Sequence, residues 1–387
     1  MAGKKGDDRM TDQENMQPVG EGPVLLVIGT RPEAIKMAPL MSALREEGLF
    51  PYLLTSGQHG ALLDRALCAL GITPDRRLPY RKREGGLARQ AGRLITLLSR
   101  ELAEIRPRIL LVHGDTLSAY AAAVAAFLSG IPVAHVEAGL RTENLRAPYP
   151  EEFCRRQIDT LSDILYAPTE AAGARLLLEG HAAARVAVTG NTGLDALRMT
   201  VKQDFSHPLL RRCGGRRLLL LTLHRRETQG EPLARILHAV RRAVDAFPDV
   251  FLLFPHHPNA AIAAPAQRIL GSHPRIAVRA ALEPIAFHNL LARAHLVMTD
   301  SGGIQEEAAY LHRPTLVLRD CTERSEGVST GALRLVGTDP HAVFESIAAL
   351  LTDGELYEKM VGAENPFGDG HASARIAADL AARLSAR

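Results

Sequence analysis

The chain has 387 residues, 46% hydrophobic and 23% charged, which is length enough for two domains and ordinary for a soluble globular protein. A net charge of +3 and an aromatic content of 4%, with no Trp, argue against non-specific nucleic-acid binding and against stacking platforms for single strands. The four cysteines, Cys68, Cys154, Cys213 and Cys321, form no CxxC pair, which argues against a zinc site and reads as reduced thiols in a cytoplasmic protein.

Residues 1–22 are polar and lack an apolar stretch, so they read as a disordered N-terminal extension. Apolar runs then follow at 24–28, 51–55, 109–113, 132–136, 164–167 and 185–188, separated by helical patterns such as 37–47 and 86–105. A second series runs through 217–223, 250–254, 276–280, 296–299 and 315–318. Continuous apolar strands alternating with helices predict parallel sheets covered on both faces. Two series predict an α/β chain of two Rossmann-like, doubly wound parallel-sheet domains, 23–195 and 196–368. The Ala-rich amphipathic stretch in 369–387 predicts a final helix packed back on the first domain. No segment has the uninterrupted apolar length to span a membrane.

In open α/β sheets ligands bind beyond the carboxyl ends of strands, and this chain places its polar motifs there. The first run leads into GTRPEAIKMAPL, residues 29–40, a strand-turn-helix signature with Pro32 suited to a first helical turn. Arg31 and Lys36 add cations near a helix N-terminus, where free N–H groups already favour a phosphate. The next motifs are HGDT at 113–116, HVEAGLRT at 135–142, PEE at 150–152, HRRE at 224–227 and DSGGIQEE at 300–307. Singly, Asp115 and Glu137 also fit helix caps or turns, His224 a buried histidine, and Arg225 a solvated ion pair. Ser301, Gly302 and Gly303 between strand and helix let backbone N–H groups approach an anion, and the Glu306-Glu307 pair one turn on suits ribose hydroxyls. No GxGxxG follows the first strand and no GxxxxGK[ST] is present, so the pattern supports neither NAD nor a P-loop. Asp115, Glu137 and Glu151 brought to one cleft suit proton transfer. The spacing alone supports a sugar-nucleotide enzyme with carboxylate acid–base chemistry.

The ordered set GTRPEAIKMAPL, HGDT, HVEAGLRT, PEE, TGNT, HRRE, HPN, TDSGGIQEEA, LRDCTER and NPFGDG covers the chain from Val24 to its C-terminus. It resembles the non-hydrolysing UDP-N-acetylglucosamine 2-epimerases. The resemblance implies a GT-B-like pair of domains facing a cleft, a UDP-sugar bound between them, a homodimer, and no NAD or essential metal. It implies interconversion of UDP-GlcNAc and UDP-ManNAc by elimination of UDP to 2-acetamidoglucal and re-addition. Asp115, Glu137, Glu151 and His224 match the family's catalytic positions. Arg31, Lys36, Phe287, Ser301, Gly302, Gly303, Glu307 and Arg324 match its UDP-binding positions. Many bacterial members are activated by a second UDP-GlcNAc, and Gln58, Glu151, Arg225 and His257 match positions used there. Ala61 and Glu84 replace a Gln and an Arg at that place, so activation is expected to be weakened or lost.

The chain departs from the family where PEExNR becomes PEEFCR, with Cys154 for Asn, and in EEAAYLH, CTERSEGVSTG and FPHHPNA. These departures leave the sugar open, either GlcNAc or a modified sugar of a specialised pathway. Three competing readings remain: the hydrolysing relative that releases ManNAc, a GT-B glycosyltransferase, and an inactive sugar-nucleotide sensor. The intact Arg31-Pro32-Glu33 and HGDT favour the non-hydrolysing enzyme over the first. The three acids disfavour the other two.

Overall fold

Residues 22–80, 86–142, 144–146, 148–225, 227–256 and 259–386 are described by the structure, a computed structural model. Residues 1–21, most of the expected extension, lie outside the described residues, and so do His257 and Glu84.

The apolar runs become strands, the central ones buried on both faces, and short edge strands join them. In the first domain these are β1 (Val24–Ile28), β2 (Pro51–Thr55), β3 (Arg76–Arg77), β4 (Ile109–His113), β5 (Val133–Val136), β6 (Ile164–Ala167) and β7 (Val186–Val188). They form a parallel sheet in the order β3-β2-β1-β4-β5-β6-β7. In the second domain, β8 (Arg217–Thr222), β9 (Val250–His256), β10 (Ile276–Ala280), β11 (Leu296–Thr299), β12 (Thr315–Val317) and β13 (Leu333–Leu335) form a parallel sheet in the order β10-β9-β8-β11-β12-β13. Helices cover both faces, and separate apolar clusters fill the space on either side of each sheet.

Each strand order reverses once, between β1 and β4 and between β8 and β11. Connections leave a switch point toward opposite faces, and a crevice opens outside the strand ends. The loops there are 29–30 and 114–116 in the first domain, and 223–225 and 300–301 in the second. Every motif singled out for chemistry at 29–33, 113–116, 224–225 and 300–303 therefore flanks a switch point.

The helix Arg31–Glu46 starts where the GTRPEAIKMAPL motif predicts, with Pro32 in its first turn and Glu33 capping it. One difference from the sequence reading has a local cause. The edge strands β3 and β13 are two and three residues long and carry arginines, so no apolar run announces them.

The helix Ala372–Ser385 returns to the first domain. Its first turn is capped by Asp195, which accepts from the N–H of Ala372 and Ser373 at 3.1 and 2.7 Å. Ile376, Ala377, Leu380 and Leu384 join the core under the helix Arg31–Glu46, and Tyr166 donates to Asp379 at 3.0 Å. Leu380 is fully buried, so Leu380→Ala is expected to cost about 2–5 kcal/mol in urea unfolding. A loss below ~1 kcal/mol would show that this helix is not part of the first domain's core.

Candidate active site

The first switch point is built by close backbone approach. A Cβ on Gly29 would sit 2.1 Å from Ser118 Oγ and 2.5 Å from Ser56 Oγ, so only glycine fits between them. Glu33 then ties the two loops of the crevice. One carboxylate oxygen accepts from the N–H of Gly29 and Thr30 at 3.0 and 2.7 Å, and the other from the Thr116 hydroxyl at 2.8 Å. Thr116 in turn caps the helix Leu117–Leu128. Glu33 is 2% exposed, and burial pushes its carboxyl up to about 7 against the pull of these hydrogen bonds.

Lys36, one turn into the helix, meets Glu137 at the end of β5. Lys36 Nζ lies 2.8 Å from Glu137 Oε2, and His113 Nε2 lies 3.1 Å from the same oxygen. Burial alone would raise the Glu137 carboxyl, but Lys36 and His113 hold it down at about 2. Burial, with Lys36 adding, keeps the His113 imidazole neutral, at about 3. Glu137 adopts φ 73°, a left-handed conformation that costs a residue with a Cβ about 1–2 kcal/mol. Strained backbone of this kind concentrates at functional sites.

Asp115 follows β4 and pairs with Arg155 of the helix Glu151–Leu161. Arg155 also holds the fully buried Glu152 at 3.2 Å. Glu151 begins this helix and has no ion pair among the described residues. Lys36, Gln58, Asp115, Glu137 and Glu151 line one cleft of about 760 Å³. The three acids proposed from the sequence thus meet, each from a different segment.

The second switch point is organised by Asp300, which is fully buried. Its carboxylate accepts from the N–H of His224 and Arg225 and from the Thr228 hydroxyl, and it lies 3.1 Å from His224 Nδ1. His224 stands outside the lining of the acid cleft and belongs to this second cluster. Ser301 begins the helix Gly302–Tyr310. A Cβ on Gly302 would lie 2.8 Å from the Arg324 guanidinium, whereas one on Gly303 would meet no protein atom within 4 Å. The two acids that follow have separate duties. Glu306 is held by Arg324 at 2.7 Å and by the Asn191 amide. Glu307 has no ion pair or side-chain hydrogen bond among the described residues, and burial, with Glu306 adding, pushes it up to about 8 against the pull of Lys36.

The domains meet through charge. Arg31 donates to the Leu282 carbonyl at 3.3 Å, just ahead of the helix Pro284–Leu291 that carries the half-buried Phe287. Lys36 is held protonated, against its burial, by Glu137 and by Glu306 of the second domain. Gln58 accepts from the Ser118 hydroxyl at 2.6 Å, and Arg225 pairs with Glu323 at 2.9 Å. Cys154 is 1% exposed, and burial, with Asp115 and Glu151 adding, pushes its thiol up to about 12, which makes it a neutral packing residue.

Sequence reasoning assigned no role to Glu33, His113 or Arg155. Their motifs were visible, but their partners lie 24 to 83 residues away, across His113–Glu137, Arg155–Asp115 and Thr116–Glu33.

Comparison with known proteins agrees with this arrangement. The family described as UDP-N-acetylglucosamine 2-epimerase matches residues 42–381. The Bacillus subtilis UDP-N-acetylglucosamine 2-epimerase is 45% identical over 358 residues, 92% of this chain and 94% of the relative. The Escherichia coli K12 protein of the same name is 41% identical over 363 residues, 91% and 96% of the two chains. Among solved structures, the Staphylococcus aureus MnaA–UDP co-structure superposes with a TM-score of 0.87 at 39% identity, covering 94% of this chain and 97% of that one. The Neisseria meningitidis UDP-GlcNAc 2-epimerase bound to UDP-GlcNAc gives a TM-score of 0.86 at 38% identity over 92% and 99% of the chains. The fold, the switch-point motifs and these likenesses agree, and the chain belongs to the UDP-N-acetylglucosamine 2-epimerase family.

Proposed function

We propose that the protein is a non-hydrolysing epimerase that inverts C2 of a UDP-N-acetylhexosamine, converting UDP-GlcNAc and UDP-ManNAc into one another. The observation that carries the reading is the meeting of Asp115, Glu137 and Glu151 in one cleft beside Lys36, with the Ser301–Gly302–Gly303 helix start on the facing domain. UDP in the S. aureus relative and UDP-GlcNAc in the N. meningitidis relative support the same ligand class here. The resemblance further supports a cytoplasmic homodimer.

Inversion at C2 needs a proton removed from one face and one delivered to the other. A carboxylate takes the C2 proton, the C1–O bond to UDP breaks, and a C1=C2 double bond forms. In re-addition the diphosphate oxygen bonds to C1 while a protonated acid delivers its proton to the opposite face of C2, and the C1=C2 double bond is consumed. The C2 proton is not acidic, so the reaction depends on stabilising the departing diphosphate. Arg31, Lys36, Arg324 and the helix start at Ser301 to Gly303 supply cationic and N–H donors for it. Lys36 already neutralises Glu137, so a diphosphate that draws on Lys36 weakens the interaction holding Glu137 ionised and makes it a better base. His224, oriented by Asp300, stands on the phosphate side. Glu307, half-buried and without an ion pair or side-chain hydrogen bond among the described residues, takes the ribose hydroxyls.

The same reading covers the activating site. Gln58 is engaged by Ser118 and Arg225 by Glu323, and Ala61 lacks the amide of the family pattern. Together these support weakened activation by a second UDP-GlcNAc.

Incubation with UDP-GlcNAc in D₂O should place deuterium at C2 of both UDP-sugars, and Asp115→Asn should slow exchange by about 10²–10⁴-fold with UDP affinity largely kept. Free ManNAc as the main product would favour the hydrolysing reaction, and near-parental exchange in the variant would remove Asp115 from the chemistry. Initial rates against UDP-GlcNAc are expected to be hyperbolic, and a sigmoidal curve would restore the activating site. Folding favours protonated Glu307, because its folded value of about 8 lies above the ordinary 4.5. That contribution is full below the ordinary value and is lost as pH rises through about 8. Glu307→Gln should therefore lose fewer degrees of Tm than the parent between pH ~5 and ~9. Superimposable Tm–pH curves would show that Glu307 is not buried in this way.

A further inference from the structure

His135 and Asp159 are fully buried and have no place in the chemistry above. His135 lies on β5, two residues before Glu137, and its two ring nitrogens have different partners. Nε2 lies 2.7 Å from the carbonyl oxygen of Gly114, the residue before Asp115. A carbonyl only accepts, so Nε2 carries a proton and donates it. Nδ1 lies 2.6 Å from Asp159 Oδ1. Burial alone would raise the Asp159 carboxyl, but His135 and Arg141 hold it below its ordinary value. Both ring nitrogens of His135 thus have fixed partners.

The other oxygen of Asp159 faces the next segment. Asp159 Oδ2 accepts from the N–H of Gly139 at 3.2 Å and lies 2.7 Å from Arg141. Gly139 sits two residues after Glu137, where a Cβ would come within 2.4 Å of the Ala172 carbonyl. Arg141 forks onto Glu179 at 2.8 and 2.6 Å. Asp159 itself belongs to the helix Glu151–Leu161, eight residues beyond Glu151 and so roughly 12 Å along the axis. On this helix Arg155 lies between them at i+4 spacing and reaches Asp115.

One buried pair thus touches the Asp115 loop through Gly114, the Glu137 loop through Gly139, and the Glu151 helix through Asp159. We propose that His135 and Asp159 are positioning residues whose hydrogen bonds set Asp115, Glu137 and Glu151 in mutual register, without themselves reaching the substrate. The inference rests on the reading of those acids as the proton-transfer groups. Its energetic basis is the sensitivity of proton transfer to placement, since displacement by about 1 Å costs on the order of 10²-fold in rate.

The test compares Asp159→Ala, His135→Ala, the double variant and Asp159→Asn. An asparagine can still accept from Gly139 and donate to a neutral His135, whose Nε2–H then still reaches Gly114. Expected are kcat losses of roughly 10²-fold in each alanine variant, with KM and UDP Kd by calorimetry within about threefold. The double variant should be no worse than either single one, because the pair acts as a unit. Asp159→Asn should recover at least about a tenfold part of the loss. Near-parental kcat in a folded alanine variant would overturn the proposal. So would kcat and UDP affinity falling together, additive losses, or an asparagine variant as poor as the alanine. If the alanine variants do not fold, the kcat of Asp159→Asn relative to its KM decides: parental within tenfold supports the pair as a hydrogen-bonded clamp, and a larger loss overturns it. Asp115→Asn run alongside separates the two layers. Activity surviving there sinks the reading of the acids, whereas activity lost there but kept in the alanine variants sinks only the positioning role.

Discussion

The ion pair between Lys36 and Glu137 is the constraint around which the first domain's site is arranged. Both groups are largely removed from water, with side-chain exposures of 17% and 15%. Two charges in such a place persist only as partners, because removing either leaves the other buried and uncompensated, at a cost of about 3–5 kcal/mol. The pair fixes the helix after β1 to the end of β5 across the intervening β4. It also dictates the state of His113, which touches the same carboxylate oxygen and stays neutral because it is buried next to an ammonium. The left-handed backbone at Glu137 belongs to the same constraint, since it turns the end of β5 so that the carboxylate faces Lys36.

Around this pair the charges alternate in sign across the two domains. Arg225 meets Glu323, Glu323 meets Arg324, Arg324 meets Glu306, and Glu306 acts on Lys36 and so on Glu137. Arg225, Arg324 and Lys36 each already face a carboxylate. In the proposed reaction an entering diphosphate has to compete with a carboxylate for Lys36 and Arg324, and each cation it draws away alters the proton affinity of that carboxylate. Binding of the leaving group and readiness of the acids are therefore coupled through ordinary electrostatics, over distances of one ion pair at a time.

Much of this was legible in the sequence at the level of elements. Buried parallel strands announce themselves by continuous apolar runs, and the motifs that follow β1, β4, β8 and β11 lie at the two switch points because strand order puts those ends together. Asp115, Glu137 and Glu151 were expected in one cleft, and they line one. Partners were not legible. Arg155 carries no assigned role in the sequence until the fold brings it to Asp115, and Glu33 none until Thr116 arrives from 83 residues away. His135 and Asp159 look like a strand histidine and a helix acid, and only the packing of helix on strand end makes them a pair.

The limit is sharpest where neighbouring residues in one motif do different things. Successive residues on a helix point about 100° apart. In the helix that starts at Gly302, that rotation turns Glu306 onto Arg324 and Asn191 and leaves Glu307 without a protein partner among the described residues. The glycines divide in the same way. Gly302 makes room for the Arg324 guanidinium, while a side chain at Gly303 would meet only open space. Half of the motif therefore holds the second domain's charges in place, and in the proposed reading the other half is left for the UDP-sugar. A sequence motif records both duties in one string, and only the rotation of the helix against its neighbours separates them.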